Sequence, residues 1–311
     1  MTNVLIDANH NETTRRERLY AGDIYVYSPT KSTKAICQLA DELSREAFHP
    51  FTPATAQHDL PVEKYVEILK DLKPKFIHHP ECKKIIPAIL SELGCVNDQT
   101  YFDVPRLRTA CAGDYLSTGM AYAFKPHRDT WYSPPMSQIN WWMPVYPISS
   151  DNTMAFHPKY WDRPVQNNSA RFDYQDWNSR GRVEAASQSV KQDTRFQSAA
   201  IEPVDLEDDL RITCPPGGII VFAAAHLHST VPNTSDQTRF SIDFRTVDRR
   251  DIERNEGAPN IDSEAQGTTL MDYLRATDLS HFTHEEVDRE MNRIKYPLNP
   301  TPADLVEESL A

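Results

Sequence analysis

Hydrophobic residues along this chain follow two periods, and the change between them falls near residue 100. Before that point the spacing is helical. Ile36, Leu39, Leu43 and Ala47 share one face of a stretch over residues 34–48, with Ser32 or Thr33 placed to cap it. Two more helices are expected over 62–72 and 82–93, the second closed by Gly94 in the left-handed conformation that glycine tolerates. Residues 23–27 read as a short strand, and residues 1–20, mostly polar, as a loose arm.

From residue 101 the alternation is of period two, with many aromatic residues, and strands are expected over 101–112, 115–124, 138–148 and 152–157. Residues 162–200 are polar and too long for an ordinary connection, which suggests a lid, a binding loop or a disordered segment. Strands resume near Leu210, then over 219–223, 227–231 and 239–247, punctuated by the Pro215-Pro216-Gly217-Gly218 turn and by Pro232-Asn233. Helical spacing returns at 268–276 and 283–295, and the acidic, Pro-containing tail over 296–311 reads as an arm. Helices, then six or more strands with an insertion, then helices suit a mainly β chain of α+β type: an antiparallel barrel or jelly roll with helices on one side. One domain is expected, with a helical prelude at about 20–100, a core at about 101–250 and C-terminal helices beyond.

Composition narrows the function. Of 311 residues 39% are hydrophobic, enough for a sizeable core, and 33 basic against 45 acidic residues give a net charge of −12. No basic block exists, so neither nucleic acid nor an anionic membrane is an expected partner. Five cysteines, an odd number without C-x-x-C spacing, point to reduced thiols rather than a disulfide framework or zinc ribbon. With no signal-like start and no apolar run near the ~20 residues that span a bilayer, a cytoplasmic protein is expected.

The chemistry concentrates in His127-Arg128-Asp129, His228 and Arg239-Phe240-Ser241. Residues two apart in an extended chain share a face, so His127 and Asp129 can bind one ion. A distant His228 would complete a set of two imidazoles and one carboxylate, the facial triad that holds Fe(II) and leaves positions open for a co-substrate and O2. His226 has the same strand parity and is the rival for that place. Structural zinc prefers four protein ligands, usually thiolates, though catalytic zinc uses similar mixed sets. His78, His79 and His157 read as ordinary hydrogen-bonded histidines.

Arg239, Ser241, Asp243 and Arg245 share one strand face. The Arg239 fork, helped by the Ser241 hydroxyl, suits the distal carboxylate of 2-oxoglutarate, whose 2-oxo acid end would chelate the metal. Arg239 could instead be a surface arginine paired with Asp236 or Asp243. Arg245 suits either a substrate contact or an ion pair with Asp243. Gln138 and Asn140 suit either co-substrate or substrate. The substrate pocket is expected to draw on Tyr122, Phe124, Trp131, Tyr132 and Trp142.

Five stretches together carry a resemblance: His127-Arg128-Asp129-Thr130, Asn152 to Pro158, Pro216 to Phe222, His228 to Thr234, and Arg239-Phe240-Ser241. In order and spacing they resemble the Fe(II)/2-oxoglutarate-dependent oxygenases, closest in layout to the phytanoyl-CoA dioxygenase-like branch. The resemblance implies a double-stranded β-helix (jelly-roll, cupin-like) core, with His127, Asp129 and His228 as iron ligands and Arg239 as co-substrate anchor. The chain departs from it where Ala155-Phe156-His157-Pro158 replaces the family's Gly-Ser-His and in the insertion at 162–200. Halogenating relatives replace the carboxylate with a small residue; Asp129 therefore implies hydroxylation or another oxidation without halide.

The expected reaction is oxidation of a C–H bond of a small polar molecule, such as an amino acid or natural-product intermediate, with 2-oxoglutarate converted to succinate and CO2. In the insertion, Arg171, Phe172, Tyr174, Trp177, Arg180 and Arg182 would suit a substrate carboxylate, or they belong to a solvated loop. A cupin-type metal-dependent isomerase or lyase is the alternative function, and an inert jelly-roll scaffold a more distant one. The polar ends leave a homodimer open.

Overall fold

The computed structural model describes residues 2–116, 125–181 and 196–293. Its centre is a sheet of eight strands. β1 (Val4–Ile6) runs parallel to β2 (Ile24–Tyr27). Antiparallel neighbours follow in the order β8 (Ile219–Ala223), β5 (Ile139–Pro144), β10 (Arg239–Asp248), β3 (Thr100–Phe102) and β11 (Leu274–Arg275). β4 (Arg106–Ala110) pairs with the first half of β10, beyond which β3 takes over. A second sheet places β6 (Met154–Phe156) between β7 (Leu210–Ile212) and β9 (His228–Thr230).

Strand alternation gives the large sheet two different faces. Tyr25, Trp141, Met143, Val221, Phe240, Ile242 and Phe244 point to one side and pack in a single cluster with the helices α2 (Lys31–Phe48), α3 (Val62–Ile77) and α4 (Cys82–Glu92). Ile24, Val26, Trp142, Ile220 and Phe222 point to the other side, where they meet Met154, Phe156 and Ile212 of the small sheet. The layers are therefore helices, large sheet, small sheet, and the chain is sheet-rich with helices against one face.

The helices form where the spacing places them, with different ends. α2 starts earlier than expected because Thr30, not Ser32 or Thr33, is the cap: its hydroxyl accepts from the Thr33 amide while the Thr33 hydroxyl accepts from the Thr30 amide. α3 runs through Pro74 to Ile77, its last turn held by the fully buried Phe76. Gly94 follows α4 with φ +75°.

Two expectations are corrected. Residues 1–20 are no loose arm; β1 is followed by α1 (Glu12–Tyr20), whose buried Arg16 forms ion pairs with Glu12 at 3.1 Å, Asp248 at 3.0 Å and Asp251 at 2.7 Å. Residues 268–276 hold a short 3-10 turn (Leu270–Asp272) and β11 instead of a helix, because Leu274 pairs with Phe102 of β3. The tail at 296–311, and nearly all of the strand expected at 115–124, lie outside the described residues. Among the described residues no helix is long and apolar enough to cross a membrane, and all five cysteines are free.

Candidate metal centre

His127 and Asp129 do not extend a regular strand. His127 makes one isolated antiparallel bridge to His228, with backbone bonds of 3.0 Å and 2.9 Å in the two directions, and Asp129 opens a 3-10 turn, Asp129–Tyr132. His228 is the first residue of β9, opposite Phe156. The bridge lays the two imidazoles side by side with ring centroids 4.4 Å apart. One donor atom from each of His127, Asp129 and His228 lies within 4.8 Å of the others. Among the described residues this is the only such group of histidine, cysteine and carboxylate donors.

Each imidazole is oriented from behind. Nδ1 of His127 lies 2.8 Å from the Lys125 carbonyl, and Nδ1 of His228 lies 2.9 Å from the His226 carbonyl. A carbonyl only accepts, so each Nδ1 carries a proton and each ring turns its Nε2 toward Asp129. The Nε2 atoms approach the same carboxylate oxygen, Asp129 Oδ1, at 3.5 Å and 3.9 Å. The other oxygen, Oδ2, accepts from the Asn140 amide at 2.8 Å and from that of Gln138 at 3.4 Å. Burial and the neighbouring His127 push His228 down to about 4, against the pull of Asp129, so it is neutral and ligand-competent at neutral pH. Burial alone would raise the Asp129 carboxyl; the two imidazoles that converge on it and the Arg245 guanidinium outweigh that and hold the group below the usual carboxylate range. Two imidazoles and one carboxylate, converging and oriented from outside, fit a divalent metal.

Gln138 and Asn140 are thus placed against the carboxylate. Tyr273 donates to Gln138 Oε1 at 2.7 Å, and Gln138 Nε2 donates to Asn140 Oδ1 at 2.9 Å. Arg128, between the two ligands, is fully buried and clamps the turn. Its Nε donates to Asp262 at 2.9 Å and its Nη atoms to the carbonyls of Ala225, Tyr160 and Arg163. Neither Tyr273 nor Asp262 carries a motif; their signal is only that they meet the site from more than a hundred residues away.

Along β10 the site-facing residues are Arg239, Ser241, Asp243 and Arg245, since Phe240, Ile242 and Phe244 fill the helix side. Arg239 is 6% exposed and lies over the Trp142 ring, 5.5 Å from its centroid. One Nη donates to the carbonyls of Asn152 and Thr153 at 3.1 Å and 3.0 Å. Its Nε and the Ser241 hydroxyl, both buried, have no hydrogen-bond partner among the described residues. Burial pushes Arg239 down to about 10, partly offset by Asp243, and leaves it charged at neutral pH. A guanidinium nitrogen and a hydroxyl buried without partners are costly unless a ligand satisfies them, and a carboxylate matches both. Neither acid weighed as its ion-pair partner has that role: Asp243 pairs with Arg108 at 2.6 Å, and no ion pair joins Arg239 to Asp236 among the described residues.

The remaining sequence candidates separate. His226 is outside the donor group; its Nε2 is buried without a partner and its ring lies 4.5 Å from that of Trp161. His157 meets the Ser229 hydroxyl at 3.0 Å. Trp131 is wholly buried among Tyr160, Val165 and Leu227, its indole N–H bonded to Asp262 at 2.8 Å. Tyr132 sets its ring edge-on to His127 and against Phe172 of the insertion. Phe172 and Tyr174 are buried, so this part of the insertion is packed rather than solvated. Arg245 pairs with Asp103 rather than Asp243. Tyr122, Phe124 and Arg182 lie outside the described residues.

No family model matches the sequence, and no curated protein matches it. Solved structures with some similarity include EvdO2 from Micromonospora carbonacea var. aurantiaca complexed with 2-oxoglutarate, 17% identical, covering 60% of this chain and 64% of that one at a TM-score of 0.36. The chain thus spans just under two thirds of the length of EvdO2. The epimerase SnoN in complex with Fe3+, alpha ketoglutarate and nogalamycin RO is 15% identical over 76% of this chain and 85% of that one, with a TM-score of 0.41. AviO1 from Streptomyces viridochromogenes Tue57 is 13% identical over 78% and 96%, with a TM-score of 0.39. Likenesses at this level carry no argument about what the chain does, which rests on its own residues.

Proposed function

We propose that this protein is an Fe(II)- and 2-oxoglutarate-dependent oxygenase acting on a C–H bond of a small polar molecule. One observation carries the reading: a three-residue metal donor group shares its face of the molecule with a buried, charged arginine and a serine, and the arginine Nε and the serine hydroxyl have no hydrogen-bond partner among the described residues. A metal site alone suits many reactions, including the isomerase or lyase alternative. The orphaned Arg239–Ser241 pair adds the requirement for a carboxylate.

In this reading His127, Asp129 and His228 hold the metal on one face. Arg239 and Ser241 take the distal carboxylate of 2-oxoglutarate. Bound iron and 2-oxoglutarate together supply the activation of O2, with succinate and CO2 released and one substrate C–H bond oxidised. The protein's part is to bind and orient. Asn140 and Gln138 keep the metal-facing oxygen of Asp129 in place, and the Phe222 and Phe156 rings, 5.2 Å and 6.3 Å from that of His228, keep water from its flank. The face between the two sheets on which these groups sit supports a double-stranded β-helix core, and the order of the motifs supports the phytanoyl-CoA dioxygenase-like branch.

Succinate formation tests the assignment. Purified protein supplied with Fe(II), 2-oxoglutarate and O2 is expected to release succinate slowly even without substrate. The release should need all three components and stop in Asp129→Ala. A protein that binds the metal yet never consumes 2-oxoglutarate would instead be the cupin-type isomerase or lyase.

A further inference from the structure

Arg239 is not the only guanidinium on the site-facing side of β10. Arg245 stands opposite Asn140 in the β5 register, and Asn140 is the residue whose amide holds Asp129. Arg245 is therefore at the metal end of the strand, six residues and roughly 20 Å of backbone from Arg239.

Asp103 fixes how Arg245 stands. This 2% exposed carboxylate takes the Arg245 backbone amide at 2.7 Å on one oxygen and approaches Arg245 Nε at 3.5 Å with the other. Among the described residues that ion pair is the side chain's only one, and no hydrogen bond or ion pair reaches its two terminal nitrogens. The other arginines of this face are used differently. Arg106 is turned onto Asp103 through a terminal nitrogen at 2.5 Å, and Arg108 lies along Asp243 with contacts of 2.6 Å and 3.3 Å. The Arg245 side chain is 23% exposed, so its fork reaches solvent while its Nε end is gripped. A stem held by a buried carboxylate and a fork left open make a preorganised seat for two parallel hydrogen bonds to a carboxylate. The next acid that Arg245 feels after Asp103 is Asp129, whose charge a bound metal would take up.

We propose that Arg245 is a second carboxylate anchor, beside the metal and distinct from the Arg239–Ser241 pair. The inference rests on the oxygenase reading for what the metal end is for. It narrows the substrate to a molecule bearing a carboxylate, unless the group that Arg245 takes is the metal-proximal carboxylate of 2-oxoglutarate itself. The two sources share one chemistry and separate in one experiment.

The test uses the full chain loaded with Co(II), whose visible spectrum reports groups arriving at the metal, with 2-oxoglutarate present so that Arg239 is occupied. Propionate is titrated as a minimal carboxylate and propionamide as its neutral match, at constant ionic strength. Propionate should shift the spectrum saturably and propionamide should not. Arg245→Gln should weaken the propionate response about tenfold, the loss of one charge-assisted contact, and Arg245→Lys should restore part of it. Unchanged Co(II) affinity in both variants shows that the site still folds. If Arg245→Gln leaves 2-oxoglutarate affinity unchanged while losing propionate, the anchor serves the substrate. If 2-oxoglutarate affinity falls about tenfold instead, the anchor serves the co-substrate. Propionate and 2-oxoglutarate both bound by Arg245→Gln as by the unaltered protein would overturn the proposal. If 2-oxoglutarate fails to bind the unaltered Co(II) protein, the oxygenase reading fails by itself, and the propionate comparison still decides Arg245.

Discussion

A side-chain amide is nearly symmetric in shape and opposite in chemistry at its two ends, so Gln138 and Asn140 could each present oxygen or nitrogen to Asp129. Tyr273 removes that freedom. Its hydroxyl donates to Gln138 Oε1, which turns Gln138 Nε2 toward Asn140 Oδ1 and so turns Asn140 Nδ2 toward the carboxylate. Both amides then donate to Oδ2, leaving Oδ1 for the metal. Tyr273→Phe should let Gln138 rotate and lower Co(II) affinity by about 10- to 100-fold, the usual cost of an outer partner. The metal-free protein should lose only about 1–3 kcal/mol, and titration calorimetry that finds metal affinity unchanged contradicts this role. His228 and His226 separate more simply. His228→Ala should abolish stoichiometric metal binding, whereas His226→Gln should retain it, because His226 turns toward Trp161. His127, Asp129 and His228 were legible in the sequence because ligand chemistry limits residue types and a spacing of two limits geometry. Tyr273, Asp262 and Asp103 were not, since a lone tyrosine or aspartate has no signature until folding brings it to its partner. Arg128 stands inside the motif, but its clamp on Asp262 and three carbonyls has no signal in the sequence.

At the scale of elements, legibility followed burial type. Runs that bury apolar side chains, such as β8, β10 and the faces of α2 and α4, carry their period in the sequence and were placed within a few residues. α1 buries charge instead. Arg16 is 5% exposed and answers Glu12 one turn away but also Asp248 and Asp251, from the other end of the chain. Hydropathy reads such a segment as an arm. Arg16→Met should cost about 3–5 kcal/mol, because it strands buried carboxylates without their cation. Urea unfolding checks it, and a loss below about 1 kcal/mol, typical of an exposed pair, would mean the network is not buried in solution. The segment 268–276 was misread for a related reason: its apolar residues suit a helix locally, and only pairing with β3 makes β11.

Across the whole molecule, the site is a junction. His228 comes from the small sheet, Asn140 from the large one, and His127 and Asp129 from the connection that enters β5. A metal held there ties together segments that the unfolded chain keeps a hundred residues apart, so binding is coupled to folding. Co(II) at a hundred times its dissociation constant should add about 2.7 kcal/mol of stability, read as a raised unfolding midpoint, and Asp129→Ala should lose that increment. The layered order of helices and sheets was legible from the switch of period near residue 100. The three-strand composition of the small sheet was not, because β6, β7 and β9 are three residues each and too short to show a period.

The central claim is that the metal donor group and the Arg239–Ser241 pair together hold one molecule of 2-oxoglutarate. The most direct measurement is an anaerobic titration of the protein with Fe(II) and then 2-oxoglutarate, following the visible metal-to-ligand charge-transfer band that only a chelated 2-oxo acid produces. The band should appear and saturate at one equivalent, and Arg239→Ala should weaken 2-oxoglutarate binding about 100-fold, the worth of two charge-assisted hydrogen bonds, with Fe(II) binding kept. Fe(II) binding without a band, or a band unaffected by Arg239→Ala, would contradict the account.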